Sequence, residues 1–301
     1  MTHPMTAVEA PAPAVSAESL RALVESYCAR LPAALAFREA LRVVALRDAL
    51  ARANLGPEAT LLDVGCGDGY FWAQLPQDLA ARVWGIDIDE RELALAGNVL
   101  GPAHAIRFDI QTGVPFGRAF DVALGNCSLE HVPDIHAALA NIRRALAPGG
   151  RLILFVPAFE WTRALATVAF AERRFGNRAA MAVAGLVDGY FQHHHLLPAP
   201  VWESALRGVG FTVARTAGLG SREGTRLFER LLPRAIPAHL RKSVSGKYAT
   251  RASVSEVDAV QAQIAREVDA GLLRDLDDAA PGDVAEYMIE AIVEPALGAV
   301  E

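Results

Sequence analysis

The segment Leu61-Leu62-Asp63-Val64-Gly65-Cys66-Gly67-Asp68-Gly69-Tyr70-Phe71 concentrates the chemistry of this chain. An acid precedes three glycines set at alternate positions. Glycine permits backbone conformations that a Cβ forbids, and it lets a ligand lie against the main chain. The spacing is Gly-x-Gly-x-Gly, not the Gly-x-Gly-x-x-Gly fingerprint whose helix N-terminus receives a pyrophosphate. Asp63 points the same way. A carboxylate at such a turn repels a pyrophosphate but suits a ligand carrying an ammonium and a sulfonium. About 20 residues further on, Gly85-Ile86-Asp87-Ile88-Asp89 places an acid that can accept both hydroxyls of a ribose. Phe108-Asp109-Ile110 adds a carboxylate able to accept from an adenine amino group, and Ile88 and Ile110 can sandwich the ring.

Two further clusters have chemical potential. Gly125-Asn126-Cys127-Ser128-Leu129-Glu130-His131-Val132 contains a Glu-His pair, in which His131 is either a base or a helix cap. Cys127 reads as a small packing residue. In His193-His194-His195, an extended backbone puts His193 and His195 on one face, as candidates for substrate contact or proton transfer. Their spacing to other donors completes no metal site, so none is expected. Arg222, Arg226, Arg230 and Arg234 recur every four residues, one face of a helix. Acids follow downstream and can neutralise it. The alternative is contact with an anionic substrate, a carrier or an anionic membrane surface.

These residues need elements to hold them. Helical spacing covers residues 18–54, with a break at Pro32. From Thr60 short apolar runs alternate with helical patterns. Strands are expected at 61–64, 82–86, 105–108, 120–124 and 151–156, with helices from about Tyr70 and over 90–100 and 135–146. Helices are also expected across 158–187, 200–207, 223–232 and 255–276, with a sixth strand at 210–216 and a seventh near 286–294. Such alternation implies a parallel sheet covered on both faces.

Composition sets the outer limits. The chain has 301 residues, 52% hydrophobic and 21% charged, which excludes a disordered polymer. A formal net charge of −6 argues against nucleic acid as a partner. Three cysteines make no disulfide framework, so a cytoplasmic setting is the default. No apolar run reaches the ~20 residues of a membrane-spanning helix.

Taken together, these motifs resemble the class I S-adenosylmethionine-dependent methyltransferases, in particular the group that includes ubiquinone-biosynthesis C-methyltransferases and many natural-product enzymes. The resemblance spans about residues 60–216. Besides the glycine turn, Gly85-x-Asp87 and Phe108-Asp109, it rests on Phe120-Asp121-Val122, Leu146-Ala147-Pro148-Gly149-Gly150-Arg151-Leu152 and Gly208-x-Gly210-Phe211. It implies a Rossmann-like three-layer α/β sandwich around a mainly parallel seven-stranded sheet, with N-terminal helices and helical insertions. It implies S-adenosyl-L-methionine as cofactor. Gly65, Gly67 and Gly69, with Cys66 between them, would face its methionine and ribose parts. Asp63 would order the amino group, Asp87 the ribose, and Asp109 with Ile110 the adenine. Asn126 and Cys127 would border the sulfonium. The loop after the fourth strand lacks the Asn/Asp-Pro-Pro-Tyr/Phe element of adenine and glutamine N-methyltransferases. The expected acceptor is therefore an oxygen or carbon of a small, largely apolar metabolite. The domain plan is a disordered tail (1–17), a helical cap (18–56), a core (57–220) with an insert (158–192), and a helical extension (221–301). Two rival readings are a nicotinamide-dependent reductase and a cofactor-binding pseudoenzyme that regulates a partner. Oligomeric state is left open.

Overall fold

Apolar spacing folds the first part of the chain into α1 (Ala17–Cys28) and α2 (Ala33–Ala53). The Ser16 hydroxyl caps α1 by accepting from the Ser19 N–H. Pro32 separates the pair, and Asn54, in the left-handed conformation, ends α2. A computed structural model describes residues 16–245, 252–280 and 282–294, with backbone alone for 239–245. Residues 1–15, most of the expected tail, and 295–301 lie outside the described residues.

The core alternates as expected: β1 (Leu61–Val64), α3 (Gln77–Ala80), β2 (Val83–Asp87), α4 (Glu90–Leu100), β3 (Ala105–Arg107), β4 (Phe120–Asn126), α5 (Ile135–Ala145) and β5 (Leu146–Pro157). There follow α6 (Ala166–Phe175), α7 (Asn177–Phe191), α8 (Ala199–Gly208), β6 (Phe211–Leu219), α9 (Arg222–Ser245), α10 (Val254–Asp269), β7 (Leu273–Arg274) and β8 (Glu286–Val293). Asp89 and Asp134 cap α4 and α5, accepting from Arg91 N–H at 2.8 Å and Ala137 N–H at 2.9 Å. Ile135, Leu139 and Ile142 share one buried face of α5, which packs on β5. Burying each such side chain is worth about 1.5–3 kcal/mol.

The sheet order is β3-β2-β1-β4-β5-β8-β6-β7. The first five of these strands run parallel, and β8 lies antiparallel between β5 and β6. The chain moves outward from β1 to β3, then returns to β4 on the other side. That reversal opens a crevice beyond the carboxyl ends of β1 and β4, where ligands of open α/β sheets bind.

Four details depart from the expectations. The sheet has eight strands, not seven, because β7 adds a two-residue edge against β6. The helix expected to run through Leu276 stops at Asp269, and Gly271, at φ +88°, turns the chain back. The helix expected from Tyr70 is a single 3-10 turn, Trp72–Gln74, followed by α3. Pro76 has no N–H with which to continue it. Finally, α9 passes beyond residue 232 through Pro233 and Pro237, both on its exposed side.

Candidate active site

The glycine turn is held by its neighbours. Gly65 and Cys66 donate their N–H groups to the Ile86 carbonyl at 2.8 and 3.0 Å. Gly65, Gly67 and Gly69 have φ of +79°, +52° and +71°, where side chains carry strain. A Cβ on Gly65 would lie 2.5 Å from the Ser128 Cβ, whereas one on Gly67 would meet nothing within 4 Å. Gly65 thus serves close packing against the loop after β4, and Gly67 leaves bare main chain. Cys66 turns its side chain inward, so that a Cβ on Gly85 would stand 2.6 Å from its sulfur.

Asp63 is buried. Its Oδ2 accepts from the Trp72 indole N–H at 2.6 Å, and its Oδ1 has no partner. Burial raises its pKa to about 7, against the opposing pull of the Trp72 bond. A buried, unpartnered carboxylate oxygen beside bare glycine backbone fits a cationic group. Asp87 bridges the two loops, accepting from Gly67 N–H at 2.8 Å and Asp89 N–H at 2.9 Å. Each oxygen keeps capacity for another donor. Asp109 accepts from Gln111 N–H at 2.9 Å and its side-chain amide at 3.0 Å. The two isoleucines are placed unequally: Ile88 is 68% exposed, while Ile110 is in the core.

From the end of β4 the site continues into a cluster of polar and aromatic side chains, termed the chamber. Ser128 donates to the Val64 carbonyl at 2.5 Å. Asn126 donates to Glu39 at 3.4 Å, leaving its buried Oδ1 unpartnered. Cys127 Sγ accepts from Arg42 at 3.0 Å, and burial pushes its thiol pKa well up. Arg42, buried in α2, also donates to Glu39 at 2.6 Å and to Glu286 of β8 at 3.0 Å. Arg38, one turn earlier, holds the same Glu286 oxygen and lies 4.9 Å over the Trp161 ring. Trp161 packs edge-on against Phe191, Phe228 and His193, at 5.7, 5.8 and 6.1 Å between centroids.

Glu130 is buried, its Oε2 unpartnered, and burial raises its pKa to about 7. The neighbouring His131 donates from Nδ1 to the Gln192 carbonyl at 3.0 Å. That partner assigns the tautomer and leaves Nε2 as the acceptor, 3.8 Å from Glu130 Oε1. The His193 ring stacks 5.9 Å from that of His131. His195 stands apart from this pair. The chain is not extended there, because His194 and His195 both donate their N–H groups to the Glu130 carbonyl. The His195 Nε2 fastens to the carbonyls of Val132 and Pro133 at 2.9 and 3.2 Å.

The N-terminal helices are latched to the glycine turn. Arg30 pairs with Asp68 at 2.8 Å and lies 3.8 Å over the Tyr70 ring. Tyr27, 5.5 Å from that ring, has a buried hydroxyl with no partner. Native interiors rarely leave polar atoms unsatisfied, so these unpartnered atoms are able to receive a polar ligand or water.

A family model described as a methyltransferase domain matches residues 36–216, more than half of the chain. The chain belongs to this methyltransferase family. It is of the class I type, whose cofactor is S-adenosyl-L-methionine. The O-methyltransferase cnsE of Penicillium expansum is 40% identical over 100 residues, 31% of this chain and 36% of that protein. A trans-aconitate 2-methyltransferase of Variovorax paradoxus is 36% identical over 112 residues, 37% and 43% of the two chains. The matched part spans less than half the length of these curated relatives. Among solved structures, the [4+2]-cyclase SpnF superposes with a TM-score of 0.53 at 19% identity, covering 85% of this chain and 82% of that one. Phosphoethanolamine N-methyltransferase 2 of Haemonchus contortus, in complex with S-adenosyl-L-methionine, gives 0.51 at 17%, covering 85% and 52%. At these identities the likeness shows the fold.

The methyltransferase motifs do not announce Tyr27, Arg38, Glu39, Arg42 or Glu286. One signal was available: Arg38, Glu39 and Arg42 interrupt the apolar run 33–46 of α2. The arginine stripe of α9 is partly neutralised, since Arg222 pairs with Asp283 at 2.9 Å and Arg234 with Glu256 at 2.7 Å. Among the described residues, no helix is long and apolar enough to cross a membrane.

Proposed function

We propose that this methyltransferase binds S-adenosyl-L-methionine at the glycine turn and methylates a small acceptor, at oxygen or carbon, in the adjoining chamber. The observation that carries the proposal is a juxtaposition. The bare backbone at Gly67 and the unpartnered Asp63 oxygen adjoin, through the Ser128–Val64 bond, a chamber with its own unpartnered polar atoms. The cofactor supplies a methyl carbon already activated on a cationic sulfur.

In this reading ionised Asp63 holds the cofactor's positive end, and Asp87 accepts from the ribose hydroxyls. Asp109 and Ile110, with Ile88 from the open side, take the adenine. Asn126 and Cys127 border the reacting sulfur. Methyl transfer is an in-line displacement, so most of the protein's task is alignment and exclusion of water. Trp161, Phe191 and Phe228 give the acceptor an apolar wall, and Asn126, Glu130 and Tyr27 receive its polar end. His131 Nε2, its tautomer set by Gln192, holds the proton of a hydroxyl acceptor, with His193 stacked behind it. The O-methyltransferases among the relatives favour oxygen. Residues 18–56 serve as the cap of the chamber.

The test is formation of S-adenosylhomocysteine and a methylated product, read by mass spectrometry. The panel comprises phenols, alcohols, carboxylic acids and activated carbon acids. At least one class should turn over. A His131→Ala variant should slow a phenol yet spare an activated carbon nucleophile. Tight cofactor binding with no product from any class would contradict the enzymatic reading. Equal phenol rates in the variant would remove His131 as the base.

A further inference from the structure

The apolar run 179–187 takes no part in the chemistry above, yet the structure gives it an unusual position. It lies in α7, and α6 and α7 form a hairpin that turns at Gly176, φ +85°. Between the two helices only small or branched side chains are buried: Val168, Ala171, Ala180 and Ala184. Four large apolar residues face outward instead. Phe170, Phe175, Met181 and Leu186 are 57, 67, 51 and 75% exposed. No charged residue interrupts the exposed side of α7 between Arg178 and Asp188.

Charge is concentrated at the tip. Arg173, Arg174 and Arg178 are all exposed around the turn, with Glu172 the single acid among residues 172–178. The Arg174 guanidinium lies 5.3 Å over the Phe175 ring, which in turn meets Phe170 at 6.5 Å. The same apolar face continues into an open cavity of about 400 Å³ between Phe170 and Arg230 of α9. The hairpin is firmly seated. Glu229 accepts from the N–H groups of Ala166 and Thr167, both at 2.7 Å, and so caps α6.

We infer that the α6–α7 hairpin docks this protein onto an anionic lipid surface, with Phe175 and Leu186 entering the interface and the tip arginines meeting the headgroups. A helix face that is wholly apolar, with cations at its margin, is the pattern of an interfacial helix. Charge decides between a bilayer and a second copy of the chain. A self-paired hairpin would need acids to receive three guanidiniums. The face offers Glu172, while Asp188 lies against the His193 ring at 3.4 Å and Glu229, which lines the cavity, is held by the N–H groups of Ala166 and Thr167. An anionic headgroup layer supplies that charge without a matching patch. The chain as a whole carries −6, so the attraction is local to this hairpin. At its far end α7 reaches Phe191, a wall of the chamber. The inference does not depend on the methyl-transfer reading.

The experiment is sedimentation of the full chain with phosphatidylcholine vesicles, with and without phosphatidylglycerol, at low salt. Binding should require the anionic lipid. Arg173→Gln/Arg174→Gln/Arg178→Gln should weaken it by about a hundred-fold. Phe175→Ser/Leu186→Ser should weaken it by at least ten-fold, as judged from the apolar area withdrawn. Because these side chains are exposed, melting temperature and cofactor titration should be unchanged, and both serve as the folding control. No binding to anionic vesicles, or equal binding by the folded variants, would overturn the inference. So would a wild-type dimer in light scattering that the Phe175/Leu186 variant abolishes, since the face would then belong to a second copy.

Discussion

The two halves of the candidate site are built on different principles. The glycine turn presents main chain, and its few side chains, Asp63 and Asp87, are fixed by bonds to Trp72 Nε1 and the Gly67 amide, 9 and 20 residues away. The chamber is made of side chains from α1, α2, β8, the loop after β4 and the insert, crossed by the chain Glu39–Arg42–Glu286–Arg38–Trp161. A backbone cradle suits a ligand that never changes. A chamber assembled from distant side chains can be altered one residue at a time without unmaking the cradle. The proposed reading therefore puts specificity for the acceptor in the chamber.

The comparison breaks most visibly at Arg38 and Arg42. Arg38→Ala/Arg42→Ala should destabilise the fold by about 3–5 kcal/mol, because removing both cations strands the buried charge of Glu286. The exposed pair Arg107–Glu90, by contrast, should yield under 1 kcal/mol when cut. Denaturant midpoints measure both, and equal losses would show that the chamber network is not structural.

Asp87→Ala comes next. It should weaken cofactor binding by about 1.5–3 kcal/mol in calorimetry, with little change in acceptor preference. Unchanged affinity would remove Asp87 from the ribose.

Asp63 provides a smaller, signed effect. Its pKa of about 7 exceeds the ordinary 3.8, so the folded chain binds that proton more tightly than the unfolded chain. The contribution of Asp63 to folding is therefore full below about pH 4 and is lost as pH rises through 7. Glu130, also near 7, acts in the same direction. A cation beside Asp63 reverses the preference, so cofactor affinity should climb with pH up to about 7 and then level. Asp63→Asn should flatten that climb, and a flat wild-type profile would sever Asp63 from the cofactor.

The smallest effect separates the halves most cleanly. Glu130→Gln should leave cofactor affinity within about 0.5 kcal/mol while moving the pH profile of turnover. A large loss of cofactor affinity would place Glu130 in the cradle.

The same contrast explains what the sequence disclosed. The cradle is local: acid, glycines and second acid follow one another with fixed spacing, so the motif survives as text. The chamber is not. Glu286 and Glu290 lie on one face of β8, where Arg38 with Arg42, and Arg52 with Arg215, meet them. Nothing in spacing joins α2 to a strand more than 230 residues later. The 3-10 turn after the glycines and the edge strand β7 were hidden for a different reason. In each, one residue, Pro76 or Gly271, overrides an apolar pattern that fits a helix equally well. The resemblance located the adenine near Ile88 and Ile110, but it did not disclose that the two side chains face opposite environments.

The central claim is that the backbone between Gly65 and Gly69 cradles the cofactor beside a side-chain chamber. A crystal structure grown with S-adenosylhomocysteine tests it directly. The ribose should lie on Asp87 and the amino end on Asp63, with the sulfur turned toward Asn126 and Cys127. Clear density for the nucleoside anywhere other than this turn would contradict the account.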